Sequence, residues 1–147
     1  YNTDAYGFRR SLLNLLGDVR PEKALVLGTG GASKAVKYVL EQLGIAFDAV
    51  SRDGKNGAYT YGDLSEEIVR AHRLIVNATP LGTFPNAEGC PVLPYEALGA
   101  GHFLFDLVYN PAVTEFLKRG AAQGAATRNG YDMLVGQAEK AWEIWNE

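Results

Sequence analysis

A glycine-rich segment in the first quarter of the chain has the composition of a phosphate-binding turn. Its residues are Gly28, Thr29, Gly30, Gly31, Ala32 and Ser33. The first glycine permits a tight turn, and the second lets a pyrophosphate approach the backbone. A helix that begins here would direct its free N–H groups at the phosphate charge. Ser33 stands where the standard pattern has Gly or Ala. The segment predicts dinucleotide binding, and a strand-to-helix turn without a ligand is the alternative.

The residues that follow the next apolar run predict which dinucleotide is bound. NAD-binding domains usually carry an acidic residue there, which accepts a hydrogen bond from the ribose 2′-hydroxyl. This chain has Ser51, Arg52, Asp53 and Lys55 at these positions. Arg52 could pair with a 2′-phosphate and stack on the adenine, with Lys55 as a second cation. A solvated surface arginine is the alternative, and Asp53 could serve the NAD role. The pattern therefore favours NADP over NAD.

Hydrophobic periodicity predicts the elements that must position these residues. Helices are expected at 8–16, 32–43, 114–119 and 133–145, with a short helix that begins at Asp63 or Ser65 and runs through Val69. Strands are expected at 24–27, 45–50, 74–76, 103–105 and 125–127. Segments 54–62 and 81–94 are expected to be loops because they are rich in glycine and proline. Strands that alternate with helices predict an α/β fold: a doubly wound, mostly parallel Rossmann-type sheet with helices on both faces. No linker divides the chain, so residues 1–147 are expected to form one domain.

Composition excludes several classes of function. The 147 residues include 14 basic and 17 acidic side chains, for a net charge of −3, so nucleic acid is not expected as a partner. The apolar runs are too short for a membrane span, and the chain opens without a signal peptide. Cys90 is the single cysteine, and no Cys/His cluster suggests a metal site. These features predict a soluble, cytoplasmic domain that binds no membrane and no metal.

Five motifs occur in an order that goes beyond a generic fold. They are Asn2-Thr3-Asp4 with Gly7-Phe8, the segment 28–33, Asn77-Ala78-Thr79-Pro80-Leu81-Gly82, Asp106-Leu107-Val108-Tyr109-Asn110-Pro111, and Asn129-Gly130 followed by 133–138. With these motifs the sequence resembles shikimate dehydrogenase along its whole length. The resemblance implies the reversible reduction of 3-dehydroshikimate to shikimate with NADPH, on the route to chorismate and the aromatic amino acids. The chain differs from the common family pattern at Ser51, Asp53 and Thr83, where Asn, Thr and Met are usual.

The resemblance also assigns roles to individual residues. Asp4 would be the catalytic carboxylate beside the substrate hydroxyl, and Tyr109 and Gln137 would contact the substrate. The positions implied next to the nicotinamide and its ribose are Asn77, Ala78, Thr79, Leu107 and Gly130. Structural alternatives stay open: Thr3 or Asp4 could cap the first helix, Tyr109 could cover a sheet edge, and Gln137 could be a core glutamine. Asn77 and Thr79 could form a capped turn before Pro80.

Family members carry an additional N-terminal domain that binds most of the substrate and supplies an active-site lysine, which this sequence lacks. The first and last helices would form the hinge side toward that domain, and the isolated chain is expected to be inactive. A homodimer is a further implied partner. A quinate/shikimate dehydrogenase using NAD or NADP, and a non-catalytic nucleotide-binding module, are the alternatives.

Several conspicuous side chains match no family motif. His72 and His102 are expected to be surface or strand-flanking residues. Trp142 and Trp145 are expected to pack in the core or between domains, and Cys90 is expected to be inert.

Overall fold

The computed structural model describes residues 3–145, apart from the side chain of Gln137. These residues form five α-helices and six β-strands. The helices are α1 (Thr3–Leu16), α2 (Gly31–Gln42), α3 (Glu66–Ala71), α4 (Glu115–Ala122) and α5 (Tyr131–Trp145). The strands are β1 (Lys23–Leu27), β2 (Ala46–Ser51), β3 (Tyr59–Thr60), β4 (Leu74–Asn77), β5 (Phe103–Asp106) and β6 (Ala126–Arg128). The predicted α/β class is therefore confirmed.

All six strands are parallel and lie in one sheet in the order β3-β2-β1-β4-β5-β6. This is the doubly wound order, in which the chain reverses its direction of travel between β1 and β4. Ligands of such sheets bind outside the carboxyl ends of the strands at that reversal. The topology therefore places the expected ligand site among the loops that follow β1, β2 and β4.

Each face of the sheet carries its own hydrophobic core. Ala24 and Val26 of β1 pack with α1 and α2 on one face. Leu25 and Leu27 of the same strand pack on the other face, with residues of α3 and α4. Because alternate side chains point to opposite faces, a strand covered on both sides is apolar throughout, as Ala24–Leu27 is.

The boundaries of the helices follow the predicted signals. Gly17 and Gly44 follow α1 and α2 with φ of +59° and +72°, a conformation that side chains disfavour. Ser65 caps α3, where its Oγ accepts a hydrogen bond from the Ile68 N–H at 3.2 Å. Thr3 and Asp4 both lie inside α1, so the prediction that one of them is the N-cap is wrong.

One other expectation is corrected, and two more are corrected in part. Segment 54–62 is not entirely loop, because Tyr59 and Thr60 pair with Val50 and Ser51 as the edge strand β3. His72 and His102 lie just before β4 and β5, as expected of strand-flanking residues, but at 2% exposure they are not at the surface. Trp142 and Trp145 are 67% and 87% exposed and are not core residues of the part of the chain described, whereas packing against another domain stays a prediction.

The buried histidines are tolerated because their ring nitrogens have partners. His72 Nδ1 donates to the Ile68 carbonyl at 2.6 Å, and Nε2 lies 2.7 Å from the Asp48 carboxylate. His102 Nε2 lies 3.1 Å from the Val69 carbonyl oxygen. Between residues 3 and 145, no helix has the length and hydropathy needed to cross a membrane.

Candidate functional site

A cleft of about 390 Å³ opens at the carboxyl ends of β1, β2 and β4. Seven predicted site residues line it: Gly28, Thr29, Gly30, Ser51, Arg52, Ala78 and Thr79. Tyr61, Pro80 and Leu81 also line it and were not predicted as site residues. The cleft thus brings together residues from three separate loops, at the point that the sheet topology indicates.

The glycine turn forms one wall of the cleft. Gly28 has φ +105°, and a β-carbon there would lie 3.0 Å from Thr79 Cγ2 on the neighbouring loop. A β-carbon on Gly30 would meet no described heavy atom within 4 Å, so the space above this backbone is open. Gly30 precedes α2, whose first N–H groups lack intrahelical partners. The turn therefore offers backbone donors and open space to an anionic group.

Ser33 stabilises the turn from inside the fold. Its side chain is buried, and its Oγ donates to the Gly30 carbonyl at 2.6 Å. Gly31 and Ala32 are exposed at the start of α2. Serine at the third position of the glycine pattern is thus accommodated by a hydrogen bond that the usual Gly or Ala does not make.

The end of β2 contributes polar groups to the opposite side of the cleft. Ser51 Oγ is buried and has no hydrogen-bond partner within residues 3–145. The exposed Arg52 follows it on the same wall. A buried hydroxyl without a partner is costly in a folded protein, so its position in a cleft fits a polar ligand.

Asp53 and Lys55 are exposed in the loop beyond Arg52. One carboxylate oxygen of Asp53, Oδ1, accepts a hydrogen bond from the Lys55 backbone N–H at 2.9 Å. This contact stabilises the turn itself. The Asp53 carboxylate is therefore partly committed to local structure.

Tyr61 enters the cleft because β3 extends the sheet. The 3₁₀ turn Tyr61–Asp63 follows β3, and Asp63 Oδ2 accepts from the Thr60 N–H at 2.8 Å. Burial raises the pKa of the Tyr61 hydroxyl, while the nearby Arg52 charge opposes that shift. A two-residue strand is too short to produce a periodic pattern, so hydrophobic periodicity could not indicate this residue.

A buried hydrogen-bond network holds the loop after β4. Asn77 Nδ2 donates to Asp106 Oδ1 at 3.1 Å, and Asn77 Oδ1 accepts from Thr79 N–H at 3.1 Å and Thr79 Oγ1 at 2.6 Å. Thr79 Oγ1 in turn accepts from the Leu81 N–H at 3.2 Å. The Asn77 side chain is fully buried, so it influences the cleft through its hydrogen bonds to Thr79, which lines the cleft.

Asp106 ends β5 directly beside Asn77 and is fully buried. Its carboxylate also accepts from the Val108 N–H at 3.0 Å and from Thr114 Oγ1 at 2.7 Å. Burial raises the pKa of Asp106 to about 6, although these three donors oppose the shift. The signal that could have identified Asp106 is a polar residue at the carboxyl end of a buried strand.

Leu107 and Gly130 meet where the chain leaves β5 and enters α5. A β-carbon on Gly130 would lie 2.1 Å from the Leu107 carbonyl oxygen, so only glycine fits. The Gly130 N–H donates to the Val108 carbonyl at 3.2 Å. Tyr109 lies two residues beyond Leu107 and is 49% exposed.

The first helix brings Asp4 toward the same edge of the sheet. A short connection, 17–22, joins α1 to β1, so α1 runs antiparallel to the strands. Phe8 packs edge-to-face on Phe105 of β5, with ring centroids 5.0 Å apart. Asp4 lies one turn before Phe8, toward the carboxyl edge, and is exposed.

Gln137 belongs to α5, and its side chain lies outside the described part of the structure. Its neighbour Gly136 marks the crossing of α1 and α5, where a β-carbon would lie 3.3 Å from Gly7 Cα. Arg10 and Glu139 form an ion pair between the same two helices. Within residues 3–145, no three His, Cys, Asp or Glu side chains are grouped so as to hold a metal ion.

Comparison with known proteins relates the chain to one group of oxidoreductases. The shikimate dehydrogenase (NADP+) of Clostridium beijerinckii is 38% identical, and the match covers 100% of this chain and 57% of that enzyme. A solved Thermus thermophilus shikimate 5-dehydrogenase, in complex with NADP(H) and shikimate, is 34% identical with a TM-score of 0.81, covering 98% of this chain and 56% of that one. A Corynebacterium glutamicum quinate dehydrogenase in complex with NAD is 28% identical with a TM-score of 0.85, covering 98% and 56%.

No family model matches the chain. The chain spans a little over half the length of these three relatives. The likeness to them extends over nearly all of its own residues. The two of these relatives that are more than 30% identical to the chain are both named shikimate dehydrogenases.

Proposed function

We propose that the chain is the nucleotide-binding domain of an NADP-dependent shikimate dehydrogenase, which reduces 3-dehydroshikimate to shikimate. The observation that carries the proposal is the cleft in which the glycine turn faces Ser51 and Arg52. The relatives named shikimate dehydrogenase (NADP+) support the same choice of substrate and cofactor. A bound NADPH would supply a hydride to the carbonyl carbon of the substrate.

The pyrophosphate would lie against the glycine turn. Gly28 admits the tight turn, and the open space above Gly30 lets an anion approach the backbone. The N-terminus of α2, including Gly31 and Ala32, adds backbone donors and the positive end of the helix dipole. These contacts bind and orient the cofactor without using a side-chain charge.

The adenosine 2′-phosphate would lie at the end of β2. The unpartnered Ser51 hydroxyl and the Arg52 guanidinium are both donors on the cleft wall, and Lys55 adds a second positive charge nearby. An additional phosphate satisfies such donors better than a ribose hydroxyl does. Asp53 is partly engaged with the Lys55 backbone, which leaves it less suited to the NAD role.

The nicotinamide ribose would lie on the far side of the glycine turn, against Asn77, Ala78 and Thr79. The network behind Asn77 holds this loop rigid. Leu107 and Gly130 would contribute backbone next to the nicotinamide, where the absence of a β-carbon on Gly130 permits the close approach of two chain segments. These residues orient the reactive ring and exclude water from it.

Asp4, Tyr109 and Gln137 would contact the substrate from the same edge. We assign Asp4 the catalytic role of holding a lysine, supplied by an additional N-terminal domain, protonated beside the substrate oxygen. That oxygen gains negative charge as the carbonyl is reduced and needs a proton donor within hydrogen-bond reach. On this proposal α1 and α5 form the hinge side toward the additional domain, and the enzyme is cytoplasmic. Assembly into a homodimer stays a prediction.

Two activity assays test the proposal. The complete gene product that contains this sequence should oxidise NADPH when 3-dehydroshikimate is added, and the 147-residue chain alone should not. Rapid turnover by the chain alone would contradict the assignment of the proton-donating lysine to another domain. A complete product that oxidises quinate with NAD and not shikimate with NADP would contradict the choice of substrate and cofactor.

A further inference from the structure

The buried carboxylate of Asp106 has no access to solvent, yet it determines how a cleft-lining loop is held. Its Oδ1 accepts from Asn77 Nδ2, and its Oδ2 accepts from Thr114 Oγ1. Asp106 therefore joins the end of β4 to the N-cap of α4. A carboxylate buried without solvent is costly, so its retention among three donors calls for a function.

The orientation of the Asn77 amide follows from Asp106. An ionised carboxylate only accepts hydrogen bonds, so the NH₂ group of Asn77 must face it. The amide oxygen must then point the other way, where it accepts from both the N–H and the hydroxyl of Thr79. Without an acceptor at position 106, Asn77 Nδ2 would keep only the Leu81 carbonyl oxygen, 3.5 Å away, and the amide would be held less firmly.

Thr79 transmits this orientation to the cleft. Its hydroxyl accepts from the Leu81 N–H, which closes the turn that carries Pro80 and Leu81 on the cleft wall. Its Cγ2 atom occupies the space beside Gly28, 3.0 Å from where a β-carbon would be. The position of the Thr79 side chain thus adjusts the distance between the two loops that enclose the nucleotide.

We propose that Asp106 is a positioning residue for the nucleotide site, acting through Asn77 and Thr79 on the cleft wall beside the glycine turn. This inference rests on the proposed NADP-binding function of the cleft. It makes the amide of Asn77 the group through which Asp106 holds Thr79 in place. Thr114 has a different role on this proposal. It donates to the same carboxylate, but its hydroxyl oxygen accepts from the Leu117 N–H and so caps α4.

Three variants separate positioning from general stability. Asp106→Ala removes the acceptor and should weaken NADPH binding about tenfold or more. Asp106→Asn keeps the shape: Oδ1 still accepts from Asn77 and Val108, and the new NH₂ group donates to Thr114 Oγ1. Its NADPH affinity should stay within about threefold of the unsubstituted chain. Thr114→Ala removes the α4 cap and lowers the melting temperature, but leaves the Asp106–Asn77 contact and should leave NADPH affinity within about threefold.

A double-mutant cycle tests whether Asp106 acts through Asn77. In the Asn77→Ala background, Asp106→Ala should weaken NADPH binding by no more than about twofold further, because the residue it acts through is gone. Affinities are measured by NADPH fluorescence titration, below the melting temperature of every variant. If Asp106→Ala does not fold, Asp106→Ser carries the same expectation, since its oxygen is one bond shorter and lies too far from Asn77 Nδ2.

Three results would overturn the inference: NADPH affinity unchanged by Asp106→Ala, an equal loss in Thr114→Ala, or a full additional loss in the Asn77→Ala background. Failure of the unsubstituted chain to bind NADPH is a different outcome. It would contradict the proposed function of the cleft, whereas normal binding by both the unsubstituted chain and Asp106→Ala would contradict only the positioning role of Asp106.

Discussion

Gly130 and Leu107 approach so closely that a β-carbon on Gly130 would lie 2.1 Å from the Leu107 carbonyl oxygen. The contact joins the segment after β5 to the start of α5, and both partners are backbone, so neither has a rotamer that relieves it. Packing against Leu107 therefore requires glycine at position 130, independently of the predicted role of Gly130 beside the nicotinamide.

Replacing Gly130 with alanine should lower the free energy of unfolding by about 3 kcal/mol, because the inserted methyl group forces a backbone shift. Chemical denaturation of the variant measures this loss. Gly30→Ala is the matched control, since its β-carbon would meet no described atom within 4 Å. That variant should lose less than about 1 kcal/mol of stability but bind NADPH more weakly. Equal stability of the two variants would contradict the packing geometry.

Arg52→Ala should weaken NADPH binding much more than NADH binding, because only NADPH carries the 2′-phosphate. A charge-assisted hydrogen bond of this kind contributes about 1.5–3 kcal/mol, which corresponds to roughly 10- to 100-fold in affinity. Titration calorimetry with both cofactors measures the difference. Lys118→Ala is the control: it removes a positive charge from an exposed position of α4 and should change neither the NADPH nor the NADH affinity. An equal loss for both cofactors in Arg52→Ala would assign Arg52 to adenine stacking instead.

The contribution of Asp106 to the stability of the chain should fall as the pH rises from about 4 to above 6. Burial raises the pKa of Asp106 from 3.8 to about 6, so between these values the native state holds a proton that the unfolded state has lost. Stability decreases with pH wherever the native state binds more protons, here by roughly 3 kcal/mol in total. Melting curves of the unsubstituted chain and of Asp106→Asn, which cannot titrate, isolate this contribution.

At pH 8 the Asp106→Asn variant should be the more stable of the two, and at pH 4 the two should melt alike. If the variant melted at a lower temperature than the unsubstituted chain at pH 8, the ionised Asp106 carboxylate would stabilise the fold. That result would contradict the upward direction of its pKa shift.

Asp4→Asn distinguishes catalysis from helix stabilisation. Asp4 lies in the first turn of α1, where its charge complements the helix dipole, so its loss should cost less than about 1 kcal/mol. In the complete gene product the rate constant should fall roughly 100-fold or more, while NADPH affinity is retained. Steady-state kinetics and a melting curve on this variant are sufficient. Retained turnover with a lower melting temperature would make Asp4 a helix-stabilising residue only.

The sequence predicted the secondary-structure elements better than the contacts between distant side chains. Apolar runs such as Ala24–Leu27 and the glycine turn after them identify β1 and the start of α2, because a buried strand and a tight turn each demand particular residue types. Since the strands are parallel, the loops after β1, β2 and β4 had to meet at one edge. In the structure the loops that carry Gly28, Ser51 and Thr79 line one cleft.

Long-range pairing was not predictable from local pattern. His72 was expected to be a surface or strand-flanking residue, and it does flank β4. Its burial was not predictable, because the partner that allows it is Asp48, 24 residues away in sequence. Asp106 and Asn77 are likewise brought together only by the register of β4 and β5. Tyr61 enters the cleft through a two-residue strand that periodicity cannot detect.

Binding of NADPH and NADH to the 147-residue chain, compared in one titration series, tests the central claim most directly. The donors at Ser51 and Arg52 predict that NADPH binds at least about tenfold more tightly than NADH, and that added salt reduces this preference. Equal affinity for the two cofactors, or no binding of either, would contradict the proposal that this cleft is an NADP site.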